Sequence, residues 1–265
     1  MYFLLICTSF FYFVSIKFSK LNWQHRILVP MYLIKSVCFL FICLQLSYSQ
    51  QITVAVASNF MKPIQEIAAK FEGHVRLVFG SSGKLYAQII NGAPYDLFMS
   101  ADQDKPKILY DQNYTVNKPF TYAIGRLALY SINPKFIATP NDISFQGLSV
   151  AIANPTLAPY GSASIDVLNN LYRADKQYSK LIMGENITQV FSFIRSGNID
   201  LGFVALSQVI QEEKKNYWLI PNQYHNSIKQ DAVILKTGDH CSRFVKHLKS
   251  EDAKLILKSY GYIWN

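Results

Sequence analysis

From residue 51 the chain alternates short β-branched apolar runs with stretches whose apolar residues recur every three or four positions. Ile52 to Ala57 is the first such run, the pattern of a buried strand. Met61 to Phe71 carries Ile64, Ile67, Ala68 and Phe71 on one helical face, with Pro63 in the first turn, where its missing N–H costs nothing. Strands are predicted next at His74 to Phe79 and Tyr95 to Ser100. A helix at Leu85 to Ile90 is closed by Asn91-Gly92, and Asp102 can cap another that holds Pro106, Ile108 and Leu109. Thr121 to Ser131 reads as a longer strand, after which the pattern restarts. Leu148 to Ala153, Leu181 to Met183, Ile199 to Val204 and Asp231 to Leu235 are strand-like. Gly161 to Tyr172, Thr188 to Arg195 and Ser242 to Lys258 are helix-like. Repeating βα units imply mostly parallel sheets flanked by helices, and the restart implies two α/β lobes. No internal sequence repeat is evident.

Composition alters this picture only at the N-terminus. Half of the 265 residues are hydrophobic and 14% are aromatic, which excludes disorder and allows one or two domains. The first fifty residues hold Lys17, Lys20, Arg26 and Lys35 and no acid. Without them 22 basic residues face 17 acidic ones, so the net charge falls from +9 to +5. No Lys/Arg run interleaved with aromatics suggests nucleic acid. Lys35, the apolar run Val37 to Leu46 and Ser47-Tyr48-Ser49 follow the order of a cleaved signal peptide. The run is too short to span a bilayer. Residues 1–49 are thus expected to be an apolar and signal segment, with Met31 as the true start. The first thirty residues read as an unused upstream start rather than an extra membrane anchor. Three of the four cysteines lie in this segment and only Cys241 follows it, so no internal disulfide is expected.

Enzyme motifs fail on spacing. Gly80-Ser81-Ser82-Gly83 is followed by Lys84, not completed as a nucleophile elbow. Gly83-Lys84 precedes Leu85 where a P-loop needs Ser or Thr. The five histidines form no metal-type pair, and Asp96 with Asp102 reads as a loop carboxylate plus a cap. What remains is a set of neutral donors at helix starts: Ser58-Asn59, Ser82, the stretch Asn154 to Gly161, and Gly184 to Thr188. Unpaired N–H groups and the positive end of the dipole favour anions there. Ligands of open α/β sheets bind outside the strand C-termini. Lys84, in a first helical turn, is expected to point into solvent.

Four segments carry a resemblance. Ala57-Ser58-Asn59-Phe60, Phe79-Gly80-Ser81-Ser82-Gly83, Asn91 to Asp102 and Asp200 to Ser207 resemble the periplasmic molybdate-binding proteins of ABC uptake systems. The similarity runs from about Gln51 to the C-terminus. It implies the type II periplasmic-binding-protein fold: two lobes joined by two crossing strands, with the oxyanion held between them. It implies ligand contacts at Ser58, Asn59, Ser82, Tyr160 and Ile187. Some relatives place a ligating Tyr where Ala205 stands here, so a contact at 205 is left open.

The expected boundaries are 50–124 with 231–265 for one lobe and 125–230 for the other. The resemblance implies a non-enzymatic, periplasmic, monomeric binding protein with no cofactor and no metal cation. Its molybdenum would enter only as molybdate, or tungsten as tungstate, for delivery to a membrane permease. Molybdate over sulfate rests on the resemblance alone. The same fold holding another tetrahedral oxyanion such as sulfate stays open, with a secreted serine hydrolase using Ser58 or Ser82 as a remote alternative.

Overall fold

The computed structural model describes residues 51–137, 145–171, 180–214 and 216–264. The expected signal segment and Tyr172 lie outside the described residues. The first sheet is built from β1 (Ile52–Ala57), β2 (Val75–Gly80), β3 (Leu97–Met99), β4 (Phe120–Gly125) and β10 (Ile228–Ile234), in the order β2-β1-β3-β10-β4. The second contains β5 (Leu127–Tyr130), β6 (Ser149–Ala153), β7 (Lys180–Gly184), β8 (Leu201–Ala205) and β9 (Tyr217–Leu219), in the order β7-β6-β8-β5-β9. In each sheet three neighbouring strands run parallel, and the fourth position is an antiparallel strand. The two lobes therefore share one plan although their sequences do not repeat.

Helices α1 (Met61–Ala69) and α2 (Ser82–Ile90) follow β1 and β2, and α3 (Asp104–Asp111) follows β3. In the second lobe α4 (Pro159–Leu171) follows β6, α5 (Ile187–Arg195) follows β7, and α6 (Leu206–Val209) follows β8. The parallel strands are buried on both faces: Val54, Ala55, Val56, Ile152, Phe203 and Val204 are fully buried. This is why they read as continuous apolar runs rather than alternating ones.

Two predicted elements are corrected. Thr121 to Ser131 is not one strand; it breaks at Arg126, with β4 pairing in the first sheet and β5 in the second. It is thus one of the crossings between lobes. Gly125 marks that crossing, where an added Cβ would stand 2.1 Å from the Tyr160 hydroxyl. Ser242 to Lys258 is not one helix either. It divides into α7 (Asp239–Leu248) and α8 (Glu251–Ser259), because Ser250 adopts an extended conformation and its Oγ accepts from the Ala253 N–H at 3.3 Å. Both halves keep apolar faces, so periodicity alone hides the break. The return crossing leads into β10, which lies wholly in the first sheet and carries a register shift between Gln230 and Asp231.

Candidate functional site

The C-terminal ends of β1, β2 and β6, β7 face one another across the cleft. Residues Ala57–Asn59, Gly80–Ser82 and Ala101 of the first lobe and Ala158–Tyr160 with Ile187 of the second line one small pocket. Its volume is about 10 Å³, far below the roughly 300–1,000 Å³ typical of sites for organic ligands. The structure thus brings Ser58, Asn59, Ser82, Tyr160 and Ile187 together, from four segments of which the first and last lie 129 residues apart (187 − 58). Ala205 is not among the lining residues; it is fully buried, and its N–H donates to Gln208 Oε1 at 3.0 Å.

Local geometry decides which donors are left over. Asn186 caps α5, its Oδ1 accepting from the Thr188 and Gln189 N–H groups at 3.0 and 3.1 Å. The Ile187 N–H is left without a partner among the described residues. At the start of α4 the Ala158 carbonyl accepts from Gly161 and Ser162 and not from Tyr160. The N–H groups of Asn59 and Ser82, each the second residue past a strand, are likewise unclaimed among the described residues. Ser82 Oγ accepts from the Ala101 N–H at 2.9 Å, which turns its own proton elsewhere. No charged side chain lines the pocket among the described residues. Such a wall, made of donors at helix starts, suits an anion that only accepts hydrogen bonds.

The remaining polar atoms of these residues are tied down behind the pocket. Asn59 Nδ2 donates to Gln230 Oε1 and to Tyr262 Oη, both at 3.0 Å. Tyr160 Oη accepts from Gln230 Nε2 at 3.3 Å, and Tyr122 Oη lies 2.9 Å from Gln230 Oε1. Gln230 is fully buried in the crossing strand β10, so one side chain joins the Asn59 turn, the other crossing strand and the start of α4. Burial pushes the Tyr262 hydroxyl up to about 12 and holds those of Tyr122 and Tyr160 well above the usual tyrosine value. All three therefore stay neutral donors. It is the backbone of Asn59 and Tyr160, not their side chains, that is free to meet a ligand.

The lobes touch around this pocket. Gly83 N–H donates to the Leu157 carbonyl at 2.8 Å, and a Cβ at Gly83 would stand 3.0 Å from Leu157 Cα. Ser207 Oγ donates to the Asn59 carbonyl at 2.8 Å, and Thr188 Oγ1 to that of Ser58 at 3.2 Å. Lys84 is half-exposed as expected, but it is not simply solvated. Its Nζ pairs with Glu185 at 2.8 Å, because Glu185 stands just ahead of α5 on the facing lobe. The lysine is thereby neutralised outside the pocket. A wider groove of about 310 Å³ lies nearby, where Asp102, Asp104 and Asp166 are mixed with Lys105 and Lys229, and Lys105 is paired with Asp102 at 2.6 Å.

Sequence reasoning did not single out Ser81, which lines the same pocket. Its Oγ is buried with no hydrogen-bond partner. Its signal was the doubled serine before α2, of which only the second was chosen.

The family model for bacterial extracellular solute-binding proteins matches residues 52–263. The molybdate-binding protein ModA of Rhodobacter capsulatus is 40% identical over 80% of this chain and 88% of its own length. That of Azotobacter vinelandii is 40% identical over 80% and 89%. Among solved structures, the Azotobacter vinelandii periplasmic molybdate-binding protein superposes with a TM-score of 0.74 at 34% identity, covering 81% of this chain and 99% of that one. The sulfate-binding protein SubI of Mycobacterium tuberculosis, at 16% identity and a TM-score of 0.60, shares the fold over 80% of this chain and 86% of its own.

Proposed function

We propose that this chain, which belongs to the bacterial extracellular solute-binding proteins and within them to the molybdate-binding proteins, binds molybdate between its lobes and delivers it to an ABC permease. The observation that carries the reading is the uncharged pocket at which the unclaimed N–H groups of Asn59, Ser82, Tyr160 and Ile187 meet the Ser58 and Ser82 hydroxyls. The chain is exported by a cleaved signal peptide and works in the periplasm as a monomer.

Energetics and selectivity follow from the donor set. About six hydrogen bonds to a charged ligand, at ~1.5–3 kcal/mol each, give a gross ~9–18 kcal/mol. Ordering and lobe closure reduce that sum, but ~8 kcal/mol already gives micromolar binding. Molybdate, tungstate and sulfate are fully ionised near neutral pH and only accept. Hydrogen phosphate must also donate a proton, and a wall of N–H and O–H donors receives it poorly. With donors supplied by both lobes, the anion stabilises the closed form over the open one. The permease then reads the closed shape, so transport is coupled to loading.

Isothermal titration of the exported protein with molybdate, tungstate, sulfate and phosphate tests this reading. Molybdate and tungstate should bind at micromolar affinity or better, and phosphate should not. Tighter binding of sulfate than of molybdate would transfer the site to sulfate. Small-angle scattering with saturating molybdate should show a smaller radius of gyration; an unchanged profile alongside tight binding would rule out closure as the signal.

A further inference from the structure

We propose that the Ser81 hydroxyl is a further oxyanion-binding group, kept unpaired until the anion arrives; the inference rests on the oxyanion reading above. Ser81 is 2% exposed and lines the pocket, and its Oγ has no hydrogen-bond partner. The other buried polar side-chain atoms in that condition among the described residues are ring nitrogens of His225 and His240, neither of which lines the pocket.

Its position makes the missing partner informative. Ser81 immediately precedes α2, in extended backbone geometry (φ −69°, ψ 149°). A serine there ordinarily turns its oxygen onto an N–H of the first helical turn. Here it makes no such cap, and the Gly83 N–H is spent on the Leu157 carbonyl across the cleft. The neighbouring Ser82 is the opposite case, since its Oγ is anchored by the Ala101 N–H. A buried hydroxyl with nothing to bond destabilises a fold, and one that persists calls for an explanation. A bound anion supplies it: the Ser81 O–H donates to an anion oxygen, and the cost of burial is recovered on binding. Ser82 is then the preorganised hydroxyl of the pocket and Ser81 the one completed by the ligand.

The test compares Ser81→Ala with the parent protein in two measurements. Molybdate titration should show the variant binding about tenfold or more weakly, the loss of one hydrogen bond to a charged ligand. Thermal melting without ligand should give an unchanged or higher midpoint, because the unpaired hydroxyl is gone. Ser81→Cys, similar in volume but a weak donor, should bind with intermediate affinity. Affinity of Ser81→Ala within twofold of the parent would overturn the proposal. So would a lowered ligand-free melting point, which marks a structural role. A parent that binds none of molybdate, tungstate, sulfate or phosphate would instead defeat the oxyanion reading itself.

Discussion

The two lobes approach the cleft on the same plan and with different chemistry. In the first, helix starts after β1 and β2 carry serine hydroxyls, Ser58, Ser81 and Ser82, into the pocket. In the second, the helix starts after β6 and β7 bring Tyr160 and Ile187. The Tyr160 hydroxyl is held by Gln230, and the Ile187 side chain belongs to the lobe's hydrophobic core. That side can offer a ligand only its backbone. The difference teaches that one function can be written in side chains on one wall and in helix-cap geometry on the other. Substitutions separate the two, since a serine donor is lost on change to alanine and a backbone donor only on change to proline.

The largest effect is expected where the two walls meet. Gly83→Val should push a branched side chain into the Leu157 backbone, whose Cα already stands 3.0 Å from an ideal Cβ. Molybdate affinity should fall by more than about a hundredfold, roughly 3 kcal/mol. Ligand-free melting should hardly change, because opening the lobes relieves the clash. Normal titration of this variant would mean that the first-lobe helix start need not touch the second lobe.

Ile187→Pro comes next and tests the backbone wall directly. Proline is tolerated at the first position of a helix, and Asn186 before it is already extended, as the residue preceding a proline prefers. The change deletes one N–H and should weaken binding by ~1.5–3 kcal/mol. Ile187→Ala keeps the N–H: calorimetry should find affinity within a few-fold, while melting shows a stability loss of ~2–4 kcal/mol from the emptied core position. If alanine weakened binding as much as proline, the side chain rather than the backbone would be the determinant.

Ser82→Ala should weaken binding by ~1–3 kcal/mol. It should also lower ligand-free stability, because the Ala101 N–H loses its acceptor; a binding loss with no melting change would contradict the anchoring role. Lys84→Ala removes a half-exposed pair with Glu185 and should cost only ~0.2–1 kcal/mol at low salt, and nothing measurable at high salt. A larger effect than that of Ser82→Ala would replace the neutral-donor account with a charged one.

The smallest expected effect is that of pH. Serine hydroxyls and amide N–H groups do not titrate, so affinity should stay flat from about pH 6 to pH 9. Stability behaves differently at the alkaline end. The folded values of Tyr122, Tyr160 and Tyr262 lie above the ordinary tyrosine value near 10. As pH rises past 10 the unfolded chain loses tyrosine protons that the folded one keeps, so stability present below 10 falls toward 12 and beyond. Denaturant titrations at pH 8 and pH 11 would measure that loss.

The first-lobe wall was legible from residues alone. Ser58-Asn59 and Ser82 each follow an apolar run and open a helix, and hydroxyls advertise themselves by residue type. Ser81 stood in the same stretch, but nothing in a sequence distinguishes a serine that caps its helix from one that does not. In the second lobe the residues alone marked only the stretches Asn154 to Gly161 and Gly184 to Thr188; the choice of Tyr160 and Ile187 within them came through family resemblance, because an N–H is common to every residue but proline. The break at Arg126 was marked only by Gly125-Arg126: the runs on either side, Tyr122 to Ile124 and Leu127 to Tyr130, are both apolar, whichever sheet each joins. Pairing of Lys84 with Glu185, and the convergence of Asn59, Tyr122, Tyr160 and Tyr262 on or beside Gln230, join positions far apart in the chain.

Local order along the chain therefore settled the alternation of strands and helices, the two-lobed class, and the small or hydroxyl-bearing residues at the first-lobe helix starts. Those properties follow from short-range periodicity and from what each side chain can do by itself. Tertiary structure alone decided where the chain crosses between sheets and which glycine, Gly83, must let two backbones approach. It alone decided which N–H groups each cap leaves unpaired. Whether a donor is free depends on every acceptor around it, and those acceptors are assembled only when both lobes have folded and met.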